Sequence, residues 1–207
     1  MPGTFQYPFG DPETAGFFGG YRRPVTASTT DDAAIVPVSD ASQVSSNAAT
    51  DVVTYPDGNQ VIDINTGQPY PRPDRLDMQR NLSTGQAISD QAQYSLSEGF
   101  PVSRDLMFGP LFPAGSIMDY QRQVGHPFGN FDPTYTNITA YNYGAVGAAA
   151  GYDLEALLKA AGSYNLSPLG NPKNANTPYG LSQERVNNIA HGFSDVTNGL
   201  WAPKHAQ

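Results

Sequence analysis

Apolar positions change their spacing along the chain, and each change predicts a different kind of structure. In residues 52–70, the β-branched runs Val52-Val53-Thr54-Tyr55 and Gln60-Val61-Ile62-Asp63-Ile64 are separated by Pro56-Asp57-Gly58-Asn59 and followed by Asn65-Thr66-Gly67. Runs punctuated in this way predict a short hairpin or meander of two or three strands. An isolated hairpin is marginal in water, so this one is expected to lean on the rest of the protein. Leu76 to Leu96 has the Gln, Leu, Met and Ala content of one or two short helices, with Gly85 as the break.

From Pro101 the pattern is that of a packed domain. Phe108 to Pro113 reads as an apolar loop, Ala114 to Val124 as a short helix, and Gly125 to Tyr135 as turns. The small-residue run Gly144 to Gly151 predicts a helix whose bare surface lets another backbone approach closely. Asp153 is placed to N-cap a helix over Leu154 to Ala161 that Gly162 stops. After a Pro/Asn/Gly loop, Ser182 caps a last helix to about Phe193, with Val186, Ile189 and Phe193 on one face. The fold class that follows is mainly α. A compact helical domain over 101–207 is preceded by a hairpin with short helices over 51–100.

Residues 1–50 break this pattern. Phe5, Tyr7, Phe9, Phe17, Phe18 and Tyr21 sit among Gly and Pro, and Ser/Thr/Ala/Asp runs follow. Such text buries too little apolar surface to offset chain entropy. The segment reads as extended and partly disordered. It is either a linker or a docking segment for a secretion apparatus or chaperone, with the aromatics as anchors.

Composition narrows the chemistry. The 207 residues hold 21 Gly, 18 Pro and no Cys, so no thiolate nucleophile, disulfide or cysteine-held zinc is available. No basic and apolar leader opens the chain, and no stretch approaches the roughly 20 apolar residues of a membrane span. Export is therefore expected to proceed without a cleaved signal. Of the net charge of −8, residues 1–100 supply twelve acids against five bases, and residues 101–207 seven against six. Neither half shows the basic patch that phosphate binding calls for.

Candidate chemistry rests on few side chains. Asp119 follows Ile117-Met118, and burial there would raise its pKa and suit it to proton transfer; the other reading is an ion pair with Arg122. Asp153 and Glu155 flank the start of one predicted helix. They are carboxylate candidates whose plainer roles are N-cap and dipole partner. Glu184 stands in the same position on the last helix. His126, between Gly125 and Pro127, and His191 on the last helix are the acid/base imidazoles. Tyr120, Tyr141 and Tyr143 belong to a tyrosine-rich half whose rings either stack on sugars or bases or fill the core. No His or carboxylate pair has metal-ligand spacing, and neither metal nor cofactor is expected.

Four pieces of the second half occur in a recognisable order. They are Ile117-Met118-Asp119-Tyr120 with Gln121-Arg122-Gln123, the block Tyr141 to Tyr152, its continuation Leu154 to Gly162, and Gln183 to Gly192. Over residues 110–200 the chain resembles the type 44 domain of bacterial polymorphic toxins. The resemblance implies a toxin delivered into a competing cell and neutralised in the producer by a cognate immunity protein. Relatives carry Trp-Asp-His-Lys where this chain has Met118-Asp119-Tyr120-Gln121, so of that motif only the Asp carries over.

Two activities suit this reading. The first is hydrolysis of peptidoglycan glycan strands in the periplasm, with Asp119 and Glu155 or Asp153 as the carboxylates. Tyr120, Arg122, Tyr141, Tyr143 and Asp153 would then hold the substrate. The second is RNA cleavage, with His126 or His191 moving the proton and Arg122 or Lys159 stabilising charge. The near-neutral second half favours the wall. A non-enzymatic part of a phage-like or secretion apparatus is the third reading.

Overall fold

The chain divides into two units, Met1–Ala49 and Thr50–Gln207. The computed structural model describes residues 51–167, 174 and 176–202, all in the second. The extended reading of residues 1–50 lies outside the described residues. Within them the fold is mainly helical, as the periodicity predicts. Five helices follow in order: α1 (Met78–Ser97), α2 (Arg104–Phe108), α3 (Thr136–Ala149), α4 (Leu154–Leu166) and α5 (Gln183–Thr197).

The hairpin region precedes them as three short segments joined by antiparallel bridges, Val52 to Pro71, Thr54 to Gln60 and Ile62 to Pro69. Their centres close a ring of backbone bonds. Val53 N donates to Tyr70 O, Tyr70 N to Val61 O, and Val61 N to Val53 O, at 2.9 to 3.0 Å. No continuous strand forms among the described residues, because Pro69, Pro71 and Pro73 each lack the N–H that would extend the ladder. The three ring residues point into the protein and are buried. They share one core with Leu76, Met78, Tyr120, Ile138, Tyr141 and Trp201. Residue 100 is therefore not a boundary in the packing: 51–100 and 101–202 fill one interior.

Side-chain caps start the helices where the sequence places them. Asp153 Oδ1 accepts from Ala156 N at 2.7 Å and Ser182 Oγ from Arg185 N at 3.3 Å. Asp77 caps α1 through Arg80 N. Helix ends and two glycines differ from expectation. Gly85 does not break α1, which runs through it for 20 residues in all; it lies where an added Cβ would meet Val146 O at 2.6 Å. Gly162 does not stop α4. It is buried inside the helix against the Tyr179 carbonyl, and its small size serves packing.

The helix expected over Ala114 to Val124 is absent. That stretch turns on Gly115, whose φ of 73° suits glycine. Two of its backbone N–H groups, those of Gly115 and Gln121, bond to the Asp119 carboxylate, and the others that bond backbone make turns and a bridge to Leu111 in place of a helical ladder. The last helix continues beyond Phe193 to Thr197.

α3 is the central element. Ile138, Tyr141, Ala145 and Val146 on it are fully buried. One side meets α1 at Gly85 and another meets α5, where Gly144 lies on Ile189 and Gly192 on Tyr141. The bare surface expected of the small-residue run is thus used to bring two helix backbones together.

Candidate functional site

The structure gives Asp119 a structural set of partners. Its Oδ2 accepts from Gly115 N at 2.7 Å and Arg122 Nη1 at 3.1 Å, and its Oδ1 from Gln121 N at 3.1 Å. The side chain is buried, while Arg122 is a quarter exposed and stacks over Phe131. Both carboxylate oxygens are thus engaged in holding a turn that spans Gly115 to Arg122. Arg75 closes the same loop from outside by donating to the carbonyls of Ile117, Asp119 and Arg122.

The other residues singled out in the sequence are dispersed. Asp153 is an exposed N-cap, and Glu155 pairs with Lys159 at 2.7 Å on the surface of α4. Neither shares a partner with Asp119. His126 is exposed on the Gly125–Asn130 loop. Tyr120 is buried and accepts from Asn81 Nδ2 at 2.6 Å, with Arg75 over its ring. Tyr143 donates to Leu157 O at 3.1 Å across the α3–α4 contact.

Tyr141 is the one that leads elsewhere. Its hydroxyl donates to Asp195 Oδ2 at 2.6 Å and accepts from Trp201 Nε1 at 2.9 Å. Tyr55, from the hairpin region, donates to the same carboxylate oxygen at 2.5 Å. His191, one turn earlier on α5, lies with Nε2 3.3 Å from that oxygen, and its ring meets Tyr141 edge to face at 5.2 Å. Three side chains, Tyr55, Tyr141 and His191, from three parts of the chain converge on one buried carboxylate. Asp195 is 5% exposed.

Tyr70 continues the cluster. It packs on Tyr141 at 5.1 Å and donates to Asn188 Oδ1 at 2.7 Å. Burial, more than any neighbouring charge, pushes the hydroxyls of Tyr55, Tyr70 and Tyr141 well above the usual phenol range, and Asp195 adds to it for all three. The phenols rest protonated and act as donors.

Beside this centre a cleft of ≈ 350 Å³ opens, lined by Tyr55 and Trp201 together with Val53, Thr54, Arg72, Leu76, Asp77 and Gln79 among others. The volume is at the lower end for small-ligand sites, about 300 to 1,000 Å³. The rings of Tyr55 and Trp201 pack at 5.1 Å and 56°. Tyr55 therefore has two environments, one side in the cleft wall and its hydroxyl on the buried Asp195. Among the described residues no three His, Asp or Glu side chains converge to hold a metal ion.

Sequence reasoning missed Tyr55, Trp201 and Asp195. One signal was present: Asn188, His191 and Asp195 recur at three and four residues, a polar stripe beside the apolar one on the last helix. Nothing in sequence ties that stripe to Tyr55, 140 positions away.

Comparison with family models, with curated proteins and with solved structures finds no match for the chain. No helix among the described residues is long and apolar enough to cross a membrane.

Proposed function

We propose that the chain is an antibacterial toxin that hydrolyses a glycosidic bond of peptidoglycan. It would be delivered into the periplasm of a competing cell and held in check in the producer by an immunity protein. The delivery and immunity parts rest on the resemblance of residues 110–200 to type 44 toxin domains. The chemistry rests on one observation: Tyr55, a residue of the cleft wall, places its hydroxyl 2.5 Å from a buried carboxylate, Asp195, that Tyr141 also engages. A nucleophile, a base within hydrogen-bond reach and a third group orienting the base form the recurring arrangement of covalent catalysis. Tyrosine nucleophiles are a known variant among glycosidases.

In this reading the chemistry belongs to Tyr55 and Asp195 and not to Asp119, whose oxygens are already bound within its own turn. Tyr55 Oη attacks the anomeric carbon while its proton passes to Asp195. The bond to the leaving oxygen breaks, and that oxygen takes a proton from a water molecule. The hydroxide so formed attacks the tyrosyl-linked sugar, the bond to Tyr55 Oη breaks, and Asp195 returns its proton to Tyr55. The ribonuclease reading is disfavoured because Arg72 is the one cation lining the cleft, against Asp77 in the wall.

The test is incubation of the purified chain with sacculi and, separately, with total RNA. Soluble muropeptides with intact RNA are expected, and folded Tyr55→Phe is expected to lose about 10²-fold in rate or more. Degraded RNA with intact sacculi, or a fully active Tyr55→Phe, would overturn the reading.

A further inference from the structure

We infer that Arg72 reads a carboxylate on the sugar, so that the cleft selects acidic over neutral glycan units. The inference rests on the proposed glycan cleft and names the class of unit that fills it. Arg72 lines the cleft with Tyr55 and Trp201 and is the cation of that lining. Its backbone is fixed: the residue stands between Pro71 and Pro73, each with φ set by its ring, and its N–H donates to Asp51 O at 2.8 Å. The guanidinium therefore leaves a rigid base, which lowers the cost of ordering it around a ligand.

Two of the other polar side chains of the lining are partly engaged within the fold. Gln79 Nε2 donates to Trp201 O at 3.3 Å, and Asp77 Oδ1 accepts from Arg80 N at 3.0 Å. Among the described residues Arg72 has a single charged partner, Asp51, at 3.4 Å, and the two side chains are 47% and 74% exposed. Exposed pairs of this kind contribute little. A ligand carboxylate that meets the planar fork with two parallel hydrogen bonds replaces Asp51 readily. The sugar ring would then lie along the Tyr55–Trp201 side, where ring faces favour its C–H surface, leaving the second oxygen of Asp77 to accept a hydroxyl.

The chemistry is shared by a lactyl ether and a uronic acid, so the test includes both. N-acetylmuramic acid, glucuronic acid and N-acetylglucosamine are titrated onto the full chain by NMR, for wild type, Arg72→Gln, Arg72→Lys and Asp51→Asn. The acidic sugars are expected to bind at least about ten-fold more tightly than the neutral one. Arg72→Gln should remove that preference and leave the neutral sugar unchanged, Arg72→Lys should keep part of it, and Asp51→Asn should strengthen it. Binding of only one of the two acids identifies the source. No preference in wild type, or an equal loss for acidic and neutral sugars in Arg72→Gln, overturns the inference. Because binding is read, acid selectivity without sacculus hydrolysis would sink the hydrolase reading and leave this one standing, and hydrolysis without selectivity would do the reverse.

Discussion

Gly144 of α3 and Gly192 of α5 are reciprocal: each sits on the backbone of the other's helix, Gly144 on the Ile189 carbonyl and Gly192 on the Tyr141 carbonyl. A Cβ at either position would fall far inside contact distance of a carbonyl oxygen, and backbone cannot rotate away as a side chain can. Gly144→Ala or Gly192→Ala is therefore expected to destabilise the protein by about 3 kcal/mol. Because one alanine already forces the helices apart, the double variant should cost less than the sum of the two. Chemical denaturation of the three variants checks this, and additive losses would show that the sites do not share one crossing.

The same crossing buries the hydroxyls of Tyr70 and Tyr141. Burial first, then the nearby carboxylates of Asp63 for Tyr70 and Asp195 for Tyr141, raise both above the ordinary value near 10. A raised folded pKa means that the unfolded chain releases these protons first. Stability is then fully present below about pH 10 and falls as pH rises beyond it, by up to about 1.4 kcal/mol per unit for each tyrosine. Tyrosinate absorbance should appear together with loss of helical circular dichroism above pH 10. Complete tyrosine titration with the helices intact would contradict the buried network.

Asp119 holds its turn through two backbone N–H groups and Arg122. Asp119→Ala leaves those buried donors without an acceptor and should cost about 3 kcal/mol, whereas Asp119→Asn keeps an acceptor and should cost about 1. A folded Asp119→Asn is expected to retain sacculus hydrolysis within a few-fold. Urea titration and the hydrolysis assay on one preparation separate the two effects, and an inactive, fully stable Asp119→Asn would return the chemistry to that residue.

The α4 carboxylates should behave as surface groups. Asp153→Asn preserves the cap on Ala156 N and should change stability by less than about 0.5 kcal/mol, while Asp153→Ala should cost about 1. Glu155→Gln removes an exposed pair with Lys159 and should be nearly silent in both stability and rate. A loss of hydrolysis in Glu155→Gln with unchanged melting would place substrate on α4.

Local signals fared according to how local their physics is. Asp153 and Ser182 were legible as caps because a capping bond joins residues three apart. Gly85 and Gly162 were not legible as packing glycines. Absence of a Cβ is compatible with a break, a cap or a close approach, and only the neighbour decides which. The stretch Ala114 to Val124 has helical composition, yet Gly115 turns the chain and the carboxylate of Asp119 takes the N–H groups of Gly115 and Gln121.

The sequence by itself determined that the chain is mainly helical, where two helices begin, and that the small residues around Gly144 admit a second backbone. Those features follow from periodicity and from bonds between near neighbours. Only the tertiary structure decided that residues 51–71 share a core with the C-terminal helices, and that Tyr55 and Asp195 meet over Tyr141. A tyrosine carries no mark of which carboxylate it will face. That choice is made by the close α3–α5 crossing and by the ring of bonds through Val53, Val61 and Tyr70, which depend on segments distant in sequence being packed at once.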